Sequence, residues 1–156
     1  MAPRPRSALE FFAVALPLLW VGLVIGVSFI ATPAKFRAGP MDGALSLAIS
    51  VVTFAWAHTV EAGFAATLAL VFLAARAGAV RWALLVIAIV ALALEAAWVL
   101  PDFQGSSGMI PGLPLLPSRQ LHMAFAVLEG LKILALVALA LIASRGGDAR
   151  RHAATD

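Results

Sequence analysis

Three glutamates, two histidines and a lysine stand inside runs that are otherwise almost pure Ala, Leu, Val and Ile. They are His58 and Glu61 in AHTVE, Glu95 in LALEAAW, and His122, Glu129 and Lys132 in LHMAFAVLEGLK. An ionisable side chain costs about 3 kcal/mol at the centre of a span on insertion scales, so it normally faces other protein or a cavity. His122, Phe125, Glu129 and Lys132 are spaced three, four and three apart and share one helical face. Glu129 and Lys132 can pair. The remaining carboxylates repel one another and are poorly solvated, which suits proton exchange, cation binding or recognition of a small polar ligand. The competing reading is an internal hydrogen-bonded network that only fixes helix register.

A metal site is a sharper alternative. Carboxylate-bridged di-metal bundles need Glu-x-x-His on two helices, and HTVE reverses that order. A single Zn, Cu or Mn site on His58, Glu61 and His122 fits by ligand type, and so does haem held by His58 and His122. No nucleotide loop, nucleophile elbow or HExxH occurs, so catalysis has no positive signal and no catalytic residue is assigned. Cysteine is absent, which excludes disulfides and thiolate chemistry.

The elements that must carry these groups are membrane spans. The 156 residues are 63% hydrophobic and only 12% charged, against about 25% charged in soluble domains. The mean hydropathy is +1.01. A net charge of only +3, with basic residues at chain ends and loops, favours anchoring at an anionic leaflet over nucleic-acid binding. The expected partner is therefore the lipid bilayer. Nine Arg against two Lys, with much Ala, points to a GC-rich bacterial genome.

Four spans are expected, at about 9–32, 44–75, 81–100 and 120–143. A basic tail, residues 1–8, precedes the first; its apolar run is longer than the 7–15 residues of a signal peptide core, so it reads as a retained helix. Pro17 is a candidate kink, and Gly22 with Gly26 makes a GxxxG pair suited to close helix approach, in a homo-oligomer or with a membrane-protein partner. Pro33 ends or bends this span. Beyond Pro101, residues 101–118 hold four prolines and three glycines and read as a loop over one end of the bundle. Residues 144–156 read as a disordered basic tail. Each half of the chain has an outward helix and then an inward helix carrying His before Glu, which only suggests a duplication because the spacings differ.

Basic residues fix the expected orientation. Arg4, Arg6, Arg76, Arg81, Arg145, Arg150 and Arg151 fall on one side, and Lys35, Arg37 and Arg119 on the other. Both termini are then cytoplasmic. Counted at 1.5 Å per residue from the outer side, His58 and Glu61 lie about 6 and 10 Å deep, Glu95 about 8 Å and Glu129 about 12 Å. A shared polar pocket in the outer half follows. Ser28, Thr32 and Lys35 share a helical face and, with Trp98, are candidates for its mouth; Lys35 and Arg37 equally read as snorkelling residues at a helix end. Trp56 and Trp98 read as interfacial anchors.

GVSFIATPAKF (Gly26–Phe36), with Val60–Glu61 and Leu121–Lys132, resembles a group of small bacterial four-span membrane proteins of unassigned function. The likeness covers the helical core and omits both tails. It implies a multi-pass protein of the cytoplasmic (inner) membrane and brings no known activity. The fold expected is all-α, a four-helix transmembrane bundle. The function expected is binding or transport of a small polar ligand, cation or proton. The alternatives are a metal- or haem-binding redox subunit and a structural partner in a larger complex.

Overall fold

The computed structural model describes residues 5–35, 37, 43–103 and 118–152. Residues 1–4, most of the proline-rich loop (104–117) and the last four residues lie outside the described residues. The described chain is helical apart from short turns, with no strand. Helix α1 is Pro5–Val24, continued by a π-helical segment, Ile25–Ala31, and a last turn, α2, Thr32–Lys35. Helix α3 is Gly43–Ala75. Helix α4, Ala79–Leu94, runs into a second π segment, Glu95–Val99, and a short α5, Leu100–Phe103. Helix α6 is Ser118–His152, so its backbone goes on past Ala143, where the sequence reading placed the start of a disordered tail. Pro17 sits inside α1 without ending it.

Among the described residues, four stretches are long and apolar enough to cross a membrane: Ala8–Lys35, Ala48–Ala75, Ala79–Val99 and Arg119–Arg145. Their packing is a ring in which α1 touches α3 and α6, and α4 touches α3 and α6. Successive spans run in opposite directions, so α3 and α6 are parallel and face each other across the diagonal.

Surface and interior are inverted relative to a water-soluble bundle. Phe11, Phe29, Leu70, Leu73, Val127 and Leu134 are exposed, while Glu61, Glu95, Glu129 and Lys132 are buried. In water this arrangement would leave apolar surface hydrated and charge stripped of solvent; in lipid the exposed apolar side chains cost nothing.

The interior divides into two layers. Toward the Arg76–Gly78 turn it is apolar, built from Leu16 and Trp20 of α1, Leu68 and Phe72 of α3, Leu85 and Leu92 of α4, and Leu136 and Leu139 of α6. Phe72 meets Trp82 edge-to-face at 5.6 Å and fastens α3 to α4 beside the turn. The turn is a Schellman cap. Ala77 N–H donates to Phe72 O at 2.9 Å and Arg76 N–H to Leu73 O at 3.2 Å. Arg76 occupies the left-handed position, φ 50°, where glycine is usual. The second layer, further along the spans, holds the ionisable groups.

The GxxxG pair makes no close approach within this ring. A Cβ built at Gly22 or Gly26 meets nothing within 4 Å.

Candidate functional site

The polar layer is set by register between the parallel helices α3 and α6. Phe54 and Phe125 meet edge-to-face at 4.9 Å. Glu61 is seven residues beyond Phe54 and Lys132 seven beyond Phe125, so both lie two turns further along at one level. Lys132 Nζ reaches Glu61 Oε2 at 2.7 Å across the diagonal. It also donates to Glu95 Oε2 at 2.5 Å. Glu129 Oε2, on its own helix, is 3.6 Å away. The sequence pairs Lys132 with Glu129 three residues before it; the tertiary fold gives it two shorter partners.

A second ring of contacts surrounds this core. Trp20 Nε1 donates to Glu61 Oε2 at 2.7 Å, so that single oxygen accepts from α1 and α6 together. Ser28 Oγ donates to Glu129 Oε1 at 3.2 Å. His58 Nε2 lies 3.5 Å from Glu95 Oε2. All four spans therefore contribute, with Lys132 completely buried on the axis. Glu95 Oε1, Glu129 Oε2, both ring nitrogens of His58 and Trp98 Nε1 are buried without a hydrogen-bond partner.

Charge does not balance. Three carboxylates face one ammonium. A charge left uncompensated in a low-dielectric interior costs several kcal/mol even after relaxation. The site therefore favours a further positive charge, a proton or a small cation.

Both π segments border this layer. Their i→i+5 bonding puts more residues in each turn, and such segments recur at functional sites. Glu95 opens one of them and is fully buried. Ser28 belongs to the other. The extra residue also breaks the face that Ser28, Thr32 and Lys35 would share in an ideal α-helix. Thr32 returns its hydroxyl to Val27 O at 2.8 Å, the carbonyl that its own N–H already reaches. Lys35 Nζ donates to Ser46 O at 3.1 Å and ties α2 to the start of α3. Of the expected mouth residues, Ser28 bonds to a carboxylate of the cluster. Trp98 is half-buried.

His122 is exposed. It shares the helical face of buried Glu129 but lies near the start of α6, about 10 Å before Glu129 along the axis. It also sits one turn to one side of the Phe54–Phe125 contact while His58 sits one turn to the other, about 10 Å apart along the axis. The set His58, Glu61 and His122 is not grouped to hold a metal ion. Among the described residues no three His, Cys, Asp or Glu side chains are grouped to hold a metal ion.

Trp20 is the participant that the sequence reading missed. Its signal was position: an indole N–H in the middle of a span needs a partner, unlike one in the interfacial belt.

No family model, curated protein or solved structure matches this chain.

Proposed function

We propose that the Lys132 cluster takes up and releases a proton or a small cation inside the bilayer, as part of a binding or transport function. One observation carries this reading. A single ammonium faces three carboxylates, while Glu95 Oε1 and Glu129 Oε2 are buried with no hydrogen-bond partner. Ionisable groups within spans mark proton relays and ion paths more often than not. Glu61, Glu95 and Glu129 carry the exchangeable charge, Lys132 neutralises part of it, and His58 stands beside Glu95 as the adjoining proton carrier.

The distribution of arginine supports a cytoplasmic location for both termini. The resemblance of Gly26–Phe36 to small bacterial four-span proteins supports the cytoplasmic membrane of a bacterium.

Infrared difference spectroscopy of the protein in nanodiscs tests the site. A pH jump across neutrality should change a protonated-carboxyl band, and Glu95→Gln or Glu129→Gln should remove part of it. A sodium or potassium jump at fixed pH separates cation from proton exchange. A spectrum unchanged by both jumps overturns the proposal.

A structural network is the second reading, favoured by the way Trp20, Ser28, Glu61, Glu95 and Lys132 join all four spans. Under it, Glu95→Gln lowers thermal stability and leaves the spectra without an exchangeable band.

A further inference from the structure

A groove of about 320 Å³ runs along the outside of the bundle between α3 and α4. Its walls are Ala62, Ala65, Ala66 and Ala69 on one helix and Ile89, Leu92, Ala93 and Ala96 around it on the other side. Residues 58 to 69 span about 16 Å of α3. The small side chains leave a narrow trough. At one end stands His58, the single polar residue of the lining.

His58 gives the trough a polar end. It is only 7% exposed, and neither ring nitrogen has a hydrogen-bond partner. A buried polar group left unbonded costs about 1–3 kcal/mol. A neutral imidazole offers one donor and one acceptor. An oxygen at the head of a molecule lying in the trough would satisfy one of them.

Charge selects the head. Glu95 Oε2 is 3.5 Å from His58 Nε2, and the cluster behind it carries excess carboxylate. A carboxylate or phosphate head would be repelled. An uncharged hydroxyl or carbonyl would not. Shape and surroundings select the tail: the groove is apolar, narrow, and open to the region the lipid chains occupy. Its volume falls at the lower end of the ~300–1,000 Å³ typical of small-molecule sites.

We infer that the α3–α4 groove binds a lipid-soluble molecule with one narrow hydrocarbon tail and an uncharged hydroxyl or carbonyl head, the tail along the alanines and the head on His58. The choice of an uncharged head rests on the carboxylate excess of the proposed site, whereas occupancy of the trough by a tail does not, so labelling of the groove and the carboxyl spectra can fail separately.

The test uses the full chain in nanodiscs and a long-chain alcohol carrying a diazirine and an alkyne on its tail, with the carboxylate of the same tail as a second probe. After irradiation, labelled peptides are mapped by mass spectrometry. The alcohol should label residues 62–69 and 89–96 in preference to other lipid-facing helices. Ala66→Phe, an exposed position that leaves the interior untouched, should lower that labelling several-fold. His58→Phe should do the same, and the carboxylate probe should label the groove more weakly than the alcohol. Even labelling of all lipid-facing helices overturns the inference. So does labelling indifferent to Ala66→Phe, equal labelling by the carboxylate, or a cross-link through the groove to a second copy of the chain.

Discussion

Lys132 Nζ meets Glu61 Oε2 at 2.7 Å across the bundle diagonal, seven residues beyond the Phe54–Phe125 contact on each helix. An apolar contact thus sets the register of a charged one. Removing the ammonium leaves three carboxylates buried together, whereas neutralising one carboxylate leaves the ammonium with two. Lys132→Met should therefore destabilise the bundle by about 3–5 kcal/mol, and Glu95→Gln by clearly less. Adding Glu61→Gln to Lys132→Met should recover part of the loss. Thermal unfolding in a fixed detergent reads all three, and equal losses for Lys132→Met and Glu95→Gln would refute the charge argument.

Trp20 donates to Glu61 and also stacks on Phe64, with ring centroids 6.4 Å apart. Trp20→Phe keeps an aromatic ring near Phe64 but removes the N–H together with part of a fully buried indole. The expected cost is at least about 1.5–3 kcal/mol, the range for a hydrogen bond to a charged group, with a cavity cost added. A Trp20→Phe protein as stable as the parent would mean that Lys132 alone satisfies that oxygen.

Arg76 holds the left-handed position of the cap between α3 and α4. A non-glycine residue there costs of order 1 kcal/mol, which glycine avoids. Arg76→Gly should raise stability by about that amount. Since Arg76 also counts toward the positive side of the chain, orientation should be read in parallel by accessibility of a single introduced cysteine. A lowered stability with unchanged orientation would refute the strain argument.

Gly22 and Gly26 have open space where a Cβ would project. Gly22→Ala should be neutral or slightly stabilising for the single chain, since alanine is the better helix former by up to ~1 kcal/mol. If two copies associate through this pair, Gly22→Leu should lower cross-linked dimer while leaving the monomer's unfolding unchanged. Loss of monomer stability with Gly22→Ala would show a packing role inside the bundle.

Sequence alone determined that this chain forms four apolar helices with acids and imidazoles where lipid chains should be, because length and hydropathy decide spanning and the scarcity of charge exposes each exception. It also placed Glu61, Glu95 and Glu129 at similar depths, since helical rise converts residue number into distance. What it left open was rotation and register between helices separated by long stretches of chain. Tertiary packing decided that Lys132 prefers Glu61 and Glu95 to its sequence neighbour Glu129. It also left His122 exposed and brought Trp20 in. The π segments at Ile25–Ala31 and Glu95–Val99 changed which residues face inward, and a fixed 3.6-residue period cannot anticipate that shift.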